Sequence, residues 1–284
     1  MYIVEDNNSN SIIKCNARGK FKELNITPTV GDYVEFSIVD EIKKEGIIDN
    51  IFDRKSYIKR PKISNLTQII FVVSMKMPKP DLLMLDKQLA FAELNNIKPI
   101  ICFNKIDLED EDYINYIESI YIKIGYNVLR TNAKDKVGIE KLKAILKDNI
   151  TAFSGNSGVG KSTLINCIFS NEITKEGIIS SRNKRGKNTT TNTYLYKIDN
   201  NSYIADTPGF STFDISEIKS EDLYKYFIEF VKPSTNCEFV GCTHIKEENC
   251  GIKQAIEDGI ISIDRYNRFV KIYLDLKEKE AHRW

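Results

Sequence analysis

The stretch at residues 155–163, Gly-Asn-Ser-Gly-Val-Gly-Lys-Ser-Thr, constrains the fold of this chain more than any other. Its first eight residues fit the pattern G-x-x-x-x-G-K-[ST], in which glycines let backbone N–H groups point inward at phosphates. An apolar run precedes the stretch and an amphipathic segment follows it, which predicts a strand, a loop and a helix in succession. The alternative interpretation is an ordinary glycine turn before a helix.

Side chains within this loop have predicted roles in phosphate and cation binding. Lys161 is expected to reach the β and γ phosphates of a nucleotide, and the Ser162 hydroxyl is expected to ligate Mg²⁺. The positive end of the helix that starts near Lys161 adds to the attraction for phosphate. The predicted phosphate-binding residues are Gly155, Asn156, Ser157, Gly158, Val159, Gly160, Lys161, Ser162 and Thr163.

A second motif, Asn104-Lys105-Ile106-Asp107, comes fifty-one residues before the glycine loop and predicts which base is bound. A carboxylate such as Asp107 can accept hydrogen bonds from N1–H and from the C2 amine of guanine, whereas adenine lacks both donors. The Lys105 stem can cover the face of the base, and Asn104 can tie the loop to its neighbours. Taken alone, the motif is equally compatible with a polar turn.

Two further segments are candidates for the same site. In Thr131-Asn132-Ala133-Lys134, the Ala133 N–H is predicted to donate to guanine O6, with Lys134 beside it. Asp206, at the start of Asp-Thr-Pro-Gly, is predicted to hold Mg²⁺ through water, and the Gly209 N–H to sense a γ-phosphate. The hydroxyls that are predicted to contact the metal and the γ-phosphate belong to Thr190 and Thr191.

Phe210 follows Gly209 directly, at the position where Ras-like GTPases carry a glutamine that orients the attacking water. Because phenylalanine cannot make that hydrogen bond, we predict slow intrinsic hydrolysis and expect a partner to supply the missing group.

Three of the six cysteines and one of the two histidines are concentrated within fourteen residues. Cys237, Cys242, His244 and Cys250 provide three thiolates and one imidazole, a closed tetrahedral set suited to structural Zn²⁺. The alternative is a group of free buried cysteines. The remaining cysteines are predicted to be core thiols: Cys15, Cys102 and Cys167.

Hydrophobic periodicity divides the chain into regions. Residues 1 to about 60 show short alternating runs in which Val34, Phe36 and Ile38 share a face, which predicts a small antiparallel barrel or sheet. From about residue 67, strands alternate with helices, which predicts a parallel sheet with crossover helices. Strands are predicted at 69–73, 99–103, 127–130 and 151–154, helices at 82–94, 111–124, 139–146 and 161–170, and a hairpin at 193–206.

Charge and hydropathy restrict the partners. The chain has 284 residues, with 41 Lys and Arg against 40 Asp and Glu, so its net charge of +1 argues against a generic polyanion binder. No long apolar run and no signal-like N-terminal segment are present, which predicts a soluble cytoplasmic protein without membrane attachment.

The order of these motifs, with the base motif first, the glycine loop second and Asp-Thr-Pro-Gly third, resembles the circularly permuted GTPases. Together with Ala17-Arg18-Gly19-Lys20, residues 30–36 and the cysteine and histidine cluster, it resembles the RsgA (YjeQ) family. The resemblance implies an RNA-binding OB-fold at 1–62, a permuted GTPase domain at 63–215 and a helical zinc domain at 216–284. It also implies GTP and GDP as ligands, Zn²⁺ and Mg²⁺, binding of a monomer to the 30S ribosomal subunit and its 16S rRNA, and 30S-stimulated hydrolysis.

The sequence departs from the family pattern at one position and is compatible with two other functions. Asn188 stands where the family often has a histidine and cannot act as a general base. A binding protein that uses GTP only as a conformational ligand is one rival, and a P-loop kinase, which Asp107 opposes, is the other. The basic runs at Arg18, Lys20 and Lys22 and at residues 182–187 are either solvated or mobile segments or RNA contacts.

Overall fold

The computed structural model describes residues 1–169, 193–206 and 213–282 of the chain. The N-terminal unit is a small β structure with a short helix. Its core is formed by Ile13, Cys15, Phe21 and Ile48. Its sheet runs in the order β1-β2-β4-β3. The predicted antiparallel pairing is correct for β1 with β2 and for β3 with β4 but wrong for β2 with β4, which are parallel. The elements are β1 (Tyr2–Glu5), β2 (Ile12–Ala17), α1 (Lys20–Glu23), β3 (Val34–Asp40) and β4 (Glu45–Ile51).

The alternating run in β3 predicts that Val34, Phe36 and Ile38 share one face of the strand, and the core covers only part of that face. Val34 and Phe36 pack against the N-terminal core, but Ile38 is 51% exposed. Ile38 pairs with Gly46, which has no side chain to cover it, and irregular pairing interrupts the ladder on both sides of this residue. The face that these three residues share is therefore covered at Val34 and Phe36 and open to solvent at Ile38.

A short hairpin, β5 (Tyr57–Lys59) and β6 (Lys62–Ser64), joins the N-terminal unit to the central domain. Ile58 and Ile63 pack into the central core, while the Ser64 hydroxyl donates to Asp32 of the N-terminal unit at 2.6 Å. The hairpin therefore lies across the predicted domain boundary at residue 62.

The central domain is built on a six-stranded sheet in the order β11-β12-β10-β7-β8-β9. All neighbouring strands are parallel except β11 and β12, which form an antiparallel hairpin. The strands are β7 (Gln68–Ser74), β8 (Lys98–Asn104), β9 (Asn127–Thr131), β10 (Ile150–Ser154), β11 (Tyr194–Asp199) and β12 (Ser202–Asp206).

Helices cover both faces of this sheet, as the nearly continuous apolar strands predict. On one face α2 (Leu82–Leu94) and α3 (Glu111–Ile124) pack against the side chains of Phe71 and Phe103. On the other face α4 (Ile139–Leu146) and α5 (Lys161–Phe169) pack against those of Val72 and Cys102. The chain therefore forms the parallel sheet with crossover helices that the sequence predicts, and the helices lie on both faces of that sheet.

The C-terminal unit is helical and packs against α2. Its elements are a 3-10 helix (Ser220–Tyr226), α6 (Ile228–Ser234), α7 (Gly251–Glu257) and α8 (Ile263–Ala281). Phe227, Phe230 and Phe269 form its aromatic core, with ring centroids 4.8 to 5.3 Å apart. None of the helices in the described ranges is both long and apolar enough to cross a membrane.

A buried network of charges joins the C-terminal unit to the central domain. Asp86 of α2 is fully buried and accepts hydrogen bonds from Arg265 and Arg268 of α8 and, at 2.9 Å, from the Tyr121 hydroxyl of α3. Arg265 also pairs with Glu229 of α6. Burial alone would lower the pKa of Arg265, but the two carboxylates raise it well above its usual value. Separation of α8 from α2 would leave these buried charges without their partners, which costs free energy. The network therefore holds α8 against α2.

Candidate nucleotide site and metal cluster

The carboxyl ends of four parallel strands meet at one edge of the central sheet and bring the predicted motifs together. Gly155 follows β10, Lys105 follows β8, Asn132 follows β9, and Asp206 ends β12. Ligands of open α/β sheets bind outside this edge. The altered order along the chain therefore produces one site in space.

The glycines at 155 and 160 are required by the shape of the phosphate loop. Gly155 has φ +142°, and a Cβ there would lie 2.2 Å from the Val72 carbonyl oxygen. Gly160 has φ +101°, and a Cβ there would lie 2.3 Å from Asn104 Nδ2. Both positions combine a left-handed backbone with a neighbour too close for any side chain.

Lys161 lies over the phosphate loop. Its ammonium donates to the carbonyl oxygens of Gly155 at 2.6 Å and Asn156 at 2.8 Å. Burial lowers the pKa of Lys161. Ser162 and Thr163, at the start of α5, are exposed, so the hydroxyls that are predicted to meet a cation and phosphate face solvent beside the loop.

The predicted base motif is bonded directly to the phosphate loop. Asn104 is buried; its Nδ2 donates to the Val159 carbonyl oxygen at 2.8 Å, and its Oδ1 accepts from the Thr131 hydroxyl at 3.0 Å. The Lys105 ammonium donates to the Gly158 carbonyl oxygen at 2.7 Å. These bonds hold the two loops in a fixed relation. Asp107 is exposed at this edge, in the 3-10 turn Ile106–Leu108.

The second predicted base loop is also held from several directions. Asn132 Oδ1 accepts from the backbone N–H groups of Lys134 at 3.0 Å and Asp135 at 3.3 Å. The Cys167 thiol of α5 donates to the Ala133 carbonyl oxygen at 3.3 Å. Ala133 is buried and Lys134 is exposed, so the geometry keeps the backbone of this loop in place while its lysine faces solvent.

Several predicted residues lie outside the part of the chain that the structure describes. They are Thr190, Thr191, Gly209, Asn188, Phe210 and the basic residues at 182–187. Asp206, the last residue of β12, is half-buried at the same sheet edge as the two loops.

Residues 77 and 81 contact the site and were not predicted from the sequence. The Asp81 carboxylate caps α2 by accepting from the Met84 N–H at 2.9 Å, and its second oxygen accepts from Asn156 Nδ2 at 3.4 Å. The Met77 carbonyl oxygen accepts from Lys105. An aspartate before an apolar helix does signal an N-cap, but nothing local in the sequence indicates contact with a loop seventy-five residues away.

The four predicted metal ligands converge in the C-terminal unit. The ligand atoms of Cys237, Cys242, His244 and Cys250 all lie within 4.8 Å of one another. His244 Nδ1 is 3.5 Å from the sulfurs of Cys237 and Cys250, and these two sulfurs are 3.9 Å apart. A tetrahedral zinc ion would set about 3.6 Å between sulfur and nitrogen and about 3.8 Å between sulfurs. The residues therefore fit such an ion.

The surroundings of the cluster orient its ligands. Burial raises the pKa of the Cys242 thiol to about 12 and lowers that of His244, so a bound cation would be needed to hold the thiolate form. Burial alone would raise the pKa of Glu247, but hydrogen bonds from Thr243 and nearby backbone groups lower it to about 2. The Tyr266 hydroxyl donates to the His244 carbonyl oxygen at 2.9 Å, which ties the ligand loop to α8.

Gly160→Ala is expected to weaken GDP binding roughly 100-fold, because the new methyl group would displace Asn104 and break two buried hydrogen bonds. Gly125→Ala is the matched control, since Gly125 also has a left-handed backbone, at φ +108°, but a Cβ there would meet no atom within 4 Å beyond its chain neighbours. Both variants lose stability through backbone strain. Titration with fluorescent GDP would contradict the assignment if the two variants bound equally well.

The sheet, the phosphate loop and the earlier base motif define a circularly permuted P-loop GTPase. The profile of the RsgA GTPase family matches residues 51–216, and that of the RsgA N-terminal domain matches residues 1–48. This chain belongs to the RsgA GTPase family, and its predicted fold class is confirmed.

Individual relatives agree over nearly the whole chain. The protein named Small ribosomal subunit biogenesis GTPase RsgA in Clostridium botulinum strain Hall is 41% identical over 283 residues, covering 100% of this chain and 96% of the relative. The protein of the same name in Caldanaerobacter subterraneus subsp. tengcongensis is 41% identical over 273 residues, covering 96% and 92%. The structure of YjeQ from Thermotoga maritima has TM-score 0.85 and 38% identity, covering 96% and 93%. YloQ, described as a circularly permuted GTPase, has TM-score 0.81 and 33% identity, covering 98% and 90%.

Proposed function

We propose that this GTPase binds the small (30S) ribosomal subunit and assists its late maturation, hydrolysing GTP to GDP and phosphate when stimulated by that subunit. The observation that carries the proposal is the direct bonding of the base motif to the phosphate loop, through Asn104 to Val159 and Lys105 to Gly158. A site built in this way would bind the base and the phosphates of one nucleotide together, because the two loops that contact them are held to each other. The names of the relatives support the choice of ribosomal partner.

Each part of the site has a proposed role. Asn104, Lys105, Ile106 and Asp107 form the guanine loop, with Asp107 as the acceptor for the base, and Ala133 and Lys134 form the second base loop. Residues 155–163 cradle the phosphates. The residues that would act on the reacting phosphate are Lys161, Asp206, Gly209, Thr190 and Thr191.

Mg²⁺ would supply positive charge beside the phosphates. The Ser162 hydroxyl and the Asp206 carboxylate are oxygen ligands of the type this ion prefers, and both lie at the same sheet edge. Ser162 would hold the ion directly and Asp206 would hold it through water, while Lys161 would contact the phosphates. The chain itself then orients the nucleotide and neutralises its charge.

Zn²⁺ is the proposed occupant of the cysteine and histidine cluster. Three sulfurs and one nitrogen lie within 4.8 Å of one another, which favours this ion, and four protein ligands leave no position for a catalytic water. The site would therefore be structural, and it stabilises the unit that packs on α2.

The N-terminal unit is proposed to contact 16S rRNA. The protein is proposed to act in the cytoplasm and to bind the subunit as a monomer. Arg18 is fixed by a bond to Asp49, while Lys20 and Lys22 are exposed on α1. This places the predicted basic run on a turn and a helix beside the small sheet, where it can contact a phosphate backbone.

The test is GTP hydrolysis by the isolated protein with 30S subunits, with 50S subunits as a control. We expect slow turnover alone and an increase on the order of tenfold or more with 30S only. Binding to 30S without stimulation would instead favour a protein that uses GTP only as a conformational ligand.

A further inference from the structure

The N-terminal unit grips the β11–β12 hairpin through one carboxylate. Glu5, in β1, pairs with the Lys197 ammonium of β11 and accepts a hydrogen bond from the Tyr203 hydroxyl of β12 at 3.2 Å. The same ammonium donates to Asn10 Oδ1 at 2.7 Å. The side chains of Glu5 and Lys197 are only 22% and 29% exposed, so this ion pair is screened less than a surface pair.

The turn after β1 is shaped to present Asn10. Asp6 accepts from the Asn8 N–H at 3.0 Å and from the Ser9 hydroxyl at 2.6 Å, while its carbonyl oxygen accepts from the Asn10 N–H at 2.8 Å. Asn10 has φ +53°, a left-handed conformation that asparagine tolerates. The turn is therefore held by hydrogen bonds of its own that do not involve Lys197, which reduces the entropic cost of holding this side chain.

The gripped hairpin also carries Asp206. Lys197 and Tyr203 face each other across the hairpin, and the pair Tyr194 and Asp206 lies three residues further along both strands. At about 3.3 Å per residue, the grip lies on the order of 10 Å from Asp206. Because backbone hydrogen bonds run along the whole hairpin, a displacement at Asp206 is transmitted to Lys197.

We infer that Glu5 is a positioning residue that couples the N-terminal unit to the nucleotide site through this hairpin, an inference that rests on the proposed role of Asp206. A nucleotide that shifts Asp206 changes the grip on the N-terminal unit, and binding to that unit shifts Asp206 in return, because coupling between sites is reciprocal. The second attachment, where Asp32 meets Arg54 and Ser64, leads to the linker hairpin β5–β6 and not to the site.

A charge swap tests this coupling. We expect each single variant, Glu5→Lys or Lys197→Glu, to break the contact between positions 5 and 197, because each places like charges together. The double variant should restore the ion pair with its two charges exchanged. Asn10 and Tyr203 can adapt, because an amide can turn and a hydroxyl both donates and accepts. Lys59→Glu is the matched control, because it removes the exposed pair of Lys59 with Glu217 at the linker.

The readout is amide hydrogen exchange at residues 2–17, with GDP compared with a non-hydrolysable GTP analogue, at nucleotide concentrations that saturate each variant. In the wild type and in the Lys59→Glu control, we expect exchange rates that differ on the order of fivefold between the nucleotides. Each single swap is expected to abolish that difference, and the double variant to restore it.

Equal exchange with both nucleotides in the wild type would overturn the inference, as would a difference that survives Glu5→Lys or is not restored in the double variant. This measurement uses no ribosomal subunit. A failure of the proposed function, seen as absent 30S stimulation, is therefore distinguishable from a failure of the coupling.

Discussion

Asp107→Asn is expected to exchange guanine for xanthine as the preferred base. The substitution removes the carboxylate that accepts from the two adjacent donors of guanine. The asparagine amide can instead accept from N1–H and donate to the C2 oxygen of xanthine. Two hydrogen bonds to a charged group correspond to about 3–6 kcal/mol, so GDP affinity should fall by roughly two to four orders of magnitude.

Competition titration with GDP, XDP and ADP measures this exchange. Asp112→Asn is the control, because Asp112 is also exposed and lies five residues away, in the first turn of α3. An unchanged preference for guanine in Asp107→Asn would refute the base assignment, and a wild-type preference for ADP would refute the GTPase site as a whole.

Loss of one metal ligand is expected to unfold the C-terminal unit. Cys250 is buried in the same apolar core as Phe227 and Phe269, and structural zinc contributes about 10–16 kcal/mol of binding free energy in small zinc domains. That contribution is comparable to the whole stability of a typical domain. Cys250→Ala should therefore lose its zinc and the cooperative unfolding of α6, α7 and α8.

Metal content and thermal unfolding, measured together, check this expectation. Cys167→Ala, which changes a half-buried thiol outside the cluster, should keep one zinc ion per chain. Full zinc content in Cys250→Ala, or an unchanged unfolding profile without zinc, would contradict a structural metal site.

Local patterns in the sequence were sufficient for the helices and strands of the central domain. The predicted helices at 82–94, 111–124 and 139–146 have the observed bounds. In the segments 111–124 and 139–146, apolar residues at helical spacing on one face give the periodic signal. The cluster of metal ligands could also be predicted from the sequence, because cysteine and histidine are scarce in this chain and occur together in a short stretch. The exposure of Ile38 could not be predicted from its own segment, because Ile38 pairs with a glycine in a neighbouring strand.

Contacts between charged residues far apart in the chain left no such signal. Asp86 and Arg265 are separated by 179 residues, and Glu5 and Lys197 by 192. Each of these residues is compatible with a solvated surface when its own segment is considered, since charged side chains are usually exposed. Their burial and pairing follow only from the packing of whole domains. The elements of the central domain could therefore be predicted from the sequence, whereas the connections between the units could not.

The most direct test of a guanine nucleotide site coupled to the small ribosomal subunit combines the base exchange with the ribosomal stimulation. The measurement is the initial rate of phosphate release from XTP by Asp107→Asn, with and without 30S subunits, beside GTP and the wild type. Stimulation by 30S should follow the base, so that the variant gains stimulated XTP hydrolysis and loses most of its GTP hydrolysis. Stimulation that remains specific for GTP in the variant, or that is absent for both proteins, would contradict the account.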